Sequence, residues 1–187
     1  MNAEIREYGV YIAATALRNL RIDAVEDFLR DVKELVKPAQ VQVFNADRVG
    51  GWKHLYFAAF LALKAMDEGV NVSESLPMEV LIQASAQRQI KKAIEMLGLG
   101  RGDVNAAIFL VSEERENLSE ALGKLRETYG KALDEELLGI NGEKAEELKR
   151  LFDITDAQLS AENDAYDPKE ALTNLIIERM TIQLFRR

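Results

Sequence analysis

The stretch Met78-Glu79-Val80-Leu81-Ile82-Gln83-Ala84-Ser85 decides how the chain is laid out, because it joins a polar run, residues 69–77, to a segment of helical periodicity. It is apolar at nearly every position and bounded by turn-forming residues, so it reads as a buried strand, central in a sheet. Three more strands read outward from it. Residues 8–16 (YGVYIAATA) are rich in β-branched and aromatic types, residues 41–45 (VQVFN) alternate apolar and polar, and residues 106–112 (AAIFLVS) are continuously apolar until Ser112.

Helices fall between these strands. After Asp23, a capping residue type, Ala24, Val25, Phe28, Leu29, Val32, Leu35 and Val36 repeat at helical spacing until Pro38 stops them. Residues 52–66 are apolar almost all round, between Gly50-Gly51 and Gly69, as in a helix buried on several sides. Ser85 reads as the N-cap of a helix with the stripe Ile90, Ala93, Ile94 and Leu97, closed by Gly98. Beyond Ser112 the pattern is helical, over residues 118–129 and 143–152. Residues 153–167 carry few large apolar side chains and read as a surface loop. Asp167-Pro168-Lys169-Glu170 then opens a last helix over residues 171–185. The reading is an α/β (α+β) single domain over residues 1–187, with a mixed sheet of about four strands flanked by helices. Its C-terminal third, residues 113–187, is a helical extension of the same domain. Strand order and direction stay open.

Composition narrows the chemistry. With 187 residues, 48% of them hydrophobic, the chain can bury a core without staples. The absence of cysteine excludes disulfide frameworks, zinc–thiolate sites and thiol nucleophiles, and a single histidine, His54, excludes a histidine-cluster metal centre. The longest apolar run, residues 55–63, is half the length a membrane span of about 18 residues needs. The polar N-terminus has no basic-then-apolar leader, so the expected location is cytoplasmic, or also nuclear in a eukaryote. The net charge of −8 divides into −1 over residues 1–112 and −7 over residues 113–187. Diffuse attraction to a polyanion is thereby excluded, and any anion site must be a local patch in the first part.

Most candidate motifs fail on context. Gly98-Leu99-Gly100-Arg101-Gly102 follows a helix and precedes a strand, the reverse of a dinucleotide-binding loop. The pairs Glu113-Glu114, Glu135-Glu136 and Glu146-Glu147 point about 100° apart on a helix and form no acid–base couple. No nucleophile lies in an activating motif. A non-enzyme without metal or cofactor is the expectation.

Two features stand out. Lys53, Phe57, Phe60 and Lys64 share one helix face, so lysines bracket two rings, as base stacking beside phosphate neutralisation requires. The plainer reading is core rings with lysines reaching past them to solvent. Arg88, Lys91 and Lys92 crowd the start of the helix capped by Ser85, where cations oppose the helix dipole. Together with Ser85 and free backbone N–H groups they describe an anion site. The alternative is a solvated surface with Arg88 ion-paired.

At these same residues the sequence resembles a known family. Asn45-Ala46-Asp47, Lys53-His54, and Met78-Glu79-Val80-Leu81 running through Ala84-Ser85-Ala86-Gln87-Arg88-Gln89-Ile90 and Ala93-Ile94 to Gly98 are similar to the small kinase-associated subunit of the archaeal and eukaryotic KEOPS complex, the family of the human PRPK-binding protein. The later segment Leu137-Leu138-Gly139-Ile140-Asn141-Gly142-Glu143 and the closing helix are similar too. The resemblance implies a non-catalytic subunit that binds the complex's small atypical kinase/ATPase and the single-stranded 3′ CCA end of tRNA. The threonylcarbamoyl-transferase subunit would be an indirect partner. It implies RNA contacts at Lys53, His54, Ser85, Arg88, Gln89 and Lys91, to which the aromatic face adds Lys64. It implies a kinase-facing last helix, where Leu175, Ile176, Ile177, Met180 and Leu184 offer apolar surface. The acidic C-terminal third and the long 153–167 segment depart from the compact archaeal pattern. A competing reading is a small-ligand-binding or self-associating α/β regulatory module, with the aromatic helix lining a pocket or an interface.

Overall fold

In the computed structural model, which describes residues 1–163 and 167–185, the chain runs β1 (Asn2–Ile5), β2 (Val10–Ile22), α1 (Val25–Leu35), β3 (Gln40–Asn45), α2 (Trp52–Asp67), α3 (Leu76–Ala84) and α4 (Ile90–Leu97). It continues through β4 (Gly102–Ser112), α5 (Arg115–Tyr129), α6 (Gly142–Leu151), α7 (Asp156–Asn163) and α8 (Pro168–Phe185). The class is α+β, as expected. These elements gather into two units, each discontinuous in sequence: residues 1–46 with 98–138, and residues 47–97 with 139–187.

The first unit is built on a four-stranded sheet of order β1-β2-β4-β3. Every neighbouring pair is antiparallel, so the sheet is wholly antiparallel and not the mixed sheet expected. The short turn between β1 and β2 requires an antiparallel pair, whereas the long helical connection from β3 to β4 is compatible with either direction. On one face Leu17, Val43, Ile108 and Leu110 pack with Val32 of α1, its C-cap Val36, and Leu118 and Leu125 of α5. Strand β2 carries an irregularity between Leu17 and Leu20, where Asn19 adopts φ 51° and its N–H donates to the Asn105 side chain at 3.0 Å. Asparagine tolerates that left-handed geometry. Strand β1 is absent from the sequence reading. It has only four residues and is held by a tight turn to β2 that ends on Gly9, φ 63°.

The second unit is helical, with α2 against α3 and α8, α3 against α4, and α6 and α7 against α8. Here the structure corrects the reading of residues 78–85, which are helix α3, not a central strand. Pro77, Glu79, Val80, Leu81, Ile82, Gln83 and Ala84 are all buried, and a short helix buried all round has the same apolar run as a central strand. Ser75 as cap and Pro77 in the first turn mark the helix start.

Ser85 is correspondingly not an N-cap. It closes α3, with Ala86 N–H donating to the Gln83 carbonyl at 3.0 Å and Gln87 N–H to the Ile82 carbonyl at 3.4 Å. Those bonds form a Schellman stop, whose left-handed residue is Ala86, φ 51°, where glycine is usual. In α4 the expected four-residue stripe is half right: Ala93 and Leu97 are buried, but Ile90 and Ile94 are 40% and 45% exposed. The 153–167 segment is also corrected, since α7 forms within it. Thr155 and Gln158 make a reciprocal capping box, with Gln158 N–H donating to Thr155 Oγ1 at 3.3 Å and Thr155 N–H to Gln158 Oε1 at 3.0 Å. Residues 164–166 of that segment lie outside the described residues. Among the described residues, no helix is long and apolar enough to cross a membrane.

Candidate functional site

The second unit holds most of the residues singled out by sequence, and its interior explains them. His54, in the first turn of α2, is 0% exposed. Gly50 N–H donates to its Nδ1 at 2.9 Å and its Nε2 donates to the Ala84 carbonyl at 2.8 Å, which fixes the tautomer. Burial pushes its pKa down to about 4, against the Ala84 hydrogen bond and with help from the Lys144 charge. Lys144 is itself 7% exposed, and burial lowers its pKa to about 8 against the pull of the Asp47 carboxylate. Gly50 is closely approached: a Cβ there would sit 2.9 Å from Ile176 Cδ1 and 3.3 Å from His54 Nδ1, so one or both side chains would have to shift.

Ser85 is equally enclosed. It is 0% exposed and its hydroxyl donates to the Ile82 carbonyl at 2.8 Å. His54 and Ser85, expected as RNA contacts, are thus both buried in this structure, where they hold α2, α3 and the start of the α3–α4 turn together with their polar atoms engaged inside.

Glu79 is the interior group the sequence reading passed over. Fully buried in α3, its Oε2 accepts the N–H groups of Val72 and Ser73 at 3.0 and 2.8 Å, and its Oε1 accepts from Gln83 Nε2 at 2.7 Å. One carboxylate thus fastens the loop before α3 and orients an amide one turn along the helix. Read as a strand, residues 79 and 83 stand about 13 Å apart; as a helix they are neighbours.

A pocket of ≈ 390 Å³ opens beside these groups, lined by Val70, Val72, Gln83, Gln87, Arg88, Gln183 and Leu184. Arg88 is exposed, and its Nη2 donates to the Gln183 carbonyl at 3.4 Å, at the C-terminal end of α8 where a cation complements the dipole. Gln89 and Lys91 are exposed next to it, Lys91 facing Glu95 at 3.9 Å. Exposed pairs of that kind contribute about 0–1 kcal/mol and yield readily to a competing anion.

The aromatic face of α2 is elsewhere. Lys53 Nζ donates to Asn174 Oδ1 at 2.7 Å and lies 3.4 Å from Glu170. Asn174 and Gln183 are nine residues apart on α8, so Lys53 and Arg88 attach to levels about 14 Å apart along its axis. Lys64 pairs with Glu68 at 2.7 Å in the last turn of α2. The sequence grouped these cations into one contact set; the structure divides them. Phe57 lines an α2–α8 groove of ≈ 410 Å³ with Lys53, Asn174, Ile177, Glu178, Thr181 and Ile182.

The last helix divides in the same way. Leu175, Ile176 and Met180 are 7%, 0% and 0% exposed, interior residues with no surface to offer. Ile177 opens onto the groove with Phe57, and Leu184 onto the pocket with Arg88. Phe185, unremarked in the sequence, is 58% exposed.

The family model described as kinase binding protein CGI-121 matches residues 22–184. A Methanocaldococcus jannaschii protein named Regulatory protein Cgi121 is 33% identical over 113 residues, 60% of this chain and 70% of its own length. A Pyrococcus abyssi protein named KEOPS complex subunit Cgi121 is 31% identical over 86 residues, 45% of this chain and 50% of its own. The family match runs through both units and nearly the full length, and the chain belongs to the CGI-121 kinase binding protein family.

Proposed function

We propose that this chain is a non-catalytic subunit of a KEOPS complex, located in the cytoplasm or also the nucleus in a eukaryote. It docks the complex's small kinase/ATPase and holds the single-stranded 3′ CCA end of tRNA. The transferase subunit then carries out threonylcarbamoyl transfer to the tRNA so presented. Family membership supports the kinase half, and the names of the two relatives, a regulatory protein and a KEOPS subunit, support the assembly.

The observation that carries the RNA half is the pocket at the end of α3. Apolar walls at Val70, Val72 and Leu184 stand beside the exposed cation Arg88, the pairing of stacking surface and phosphate partner that unpaired nucleotides need. The α2–α8 groove supports the kinase half, with half-buried Phe57, Ile177 and Ile182 forming an apolar strip between polar rims.

Two variants separate the halves. Arg88→Glu should weaken tRNA binding tenfold or more and leave kinase binding within twofold, whereas Ile177→Glu should do the reverse. Titrations with intact tRNA, with tRNA lacking its CCA end and with the purified kinase subunit read both. Equal affinity for intact and trimmed tRNA removes the RNA role, and kinase binding indifferent to Ile177→Glu removes the groove.

A further inference from the structure

Gln83 is 8% exposed and lines the pocket, yet only one end of its amide is engaged. Its Nε2 donates to Glu79 Oε1 at 2.7 Å. With two backbone N–H groups on Oε2 and the amide nitrogen on Oε1, Glu79 accepts on both oxygens, which sets the nitrogen end of the Gln83 amide toward it. The carbonyl end is therefore fixed as the end facing away from Glu79. Among the described residues that oxygen has no hydrogen-bond partner. Among those residues no buried side-chain nitrogen or oxygen lacks one, so this oxygen, on a pocket-lining side chain, is reached by solvent.

The same carboxylate positions one wall. By accepting from Val72 and Ser73 it holds Val72 at the pocket edge, where 45% of its surface is exposed. A locked acceptor, apolar walls and a neighbouring guanidinium make up a site of ≈ 390 Å³, within the range of about 300–1,000 Å³ of small-molecule sites. The ligand it fits is planar and apolar on its faces, has an N–H donor on its edge and is joined to an anion.

We infer that Gln83 is a specificity-determining residue that accepts a hydrogen bond from the exocyclic amino group of a nucleobase lodged between Val70, Val72 and Leu184. This rests on the tRNA-tail reading above and sharpens it. Adenine and cytosine carry an amino group on the Watson–Crick edge; hypoxanthine and uracil carry a carbonyl oxygen there, which meets the Gln83 oxygen as acceptor against acceptor. All three bases of a CCA end carry that amine. A site built around one hydrogen bond rejects the analogue that lacks it, because its buried polar group is then left unpaired.

The test is a titration of the full chain with tRNAs ending in CCA, with the end removed, and with one base at a time replaced by its oxo counterpart: inosine for adenosine, uridine for either cytidine. One replacement should weaken binding at least tenfold while the other two change it less than threefold. Gln83→Met should bind the CCA end and that replaced end equally, and Arg88→Ala should weaken all ends alike without altering their ranking. If intact tRNA binds better than trimmed but all three replacements bind like CCA, the inference is wrong and the tail reading stands. If trimmed and intact tRNA bind alike, both are overturned. The replacement series on the unaltered protein decides the matter even if Gln83→Met does not fold.

Discussion

Among the described residues the sheet unit hides one polar side chain, Thr15, and the helical unit hides six: His54, Glu79, Gln83, Ser85, Lys144 and Thr173. A buried polar group is costly unless hydrogen-bonded, and among the described residues no buried side-chain nitrogen or oxygen lacks a partner. The first unit is thus held by apolar packing, which tolerates exchange of similar shapes. The second is held by directional bonds that accept one arrangement: His54 joins α2 to the end of α3, Glu79 joins α3 to its preceding loop, and Thr173 joins α8 to the Gly50 carbonyl at 3.2 Å. Both candidate binding surfaces lie on that second unit. Precision there is what a site needs, because side chains meant to meet a ligand must be held in place by their supporting bonds.

Four perturbations sharpen or break this contrast. Phe109→Ala empties the sheet core at a fully buried position and should destabilise by about 4 kcal/mol, equally at pH 7 and pH 4.5. Glu79→Ala strips three donors of their acceptor and should cost about 3 kcal/mol. It should also speed hydrogen exchange at Val72 and Ser73 ahead of any amide in the sheet, and uniform acceleration would count against a local role.

Acidification should act on the helical unit next. The unfolded His54 ring takes up a proton near pH 6.5 and the folded one only near pH 4, so the unfolded state gains protons first as the pH falls. Its contribution is fully present above about pH 6.5 and is lost toward pH 4, roughly 2–3 kcal/mol between pH 7 and pH 4.5. Denaturant unfolding of the parent and of His54→Gln at both values isolates it: the parent should lose that much more than the variant, and parallel losses would refute the assignment. The smallest effect is expected at the α3 stop. Ala86→Gly relieves a left-handed alanine and should stabilise by up to about 1 kcal/mol in thermal melts, whereas destabilisation would mean that the alanine side chain supplies packing.

What was legible in the sequence follows the same division. The strands β3 and β4, helices α1 and α2, and the Asp167-Pro168 start of α8 announce themselves by period or by capping chemistry. Helix α3 does not, because a segment with seven of its nine residues buried has no polar face to set its period. That misreading hid the Glu79–Gln83 pair and made Ser85 a helix start. The capping box Thr155-Asp156-Ala157-Gln158 was present in the sequence, but the few large apolar residues after it outweighed it. Of the candidate site, the surface position of Arg88, Gln89 and Lys91 was legible. The burial of His54, Ser85, Leu175, Ile176 and Met180 was not, since it depends on which helices meet.

The central claim is that the helical unit carries the nucleic-acid contact at the end of α3. Hydrogen exchange of the full chain with and without tRNA ending in CCA tests it most directly. The account predicts slowed exchange within residues 70–73, 83–92 and 183–185, none in β1 or β2, and no slowing at all with trimmed tRNA. Protection confined to the sheet unit, or equal protection by trimmed tRNA, would contradict it.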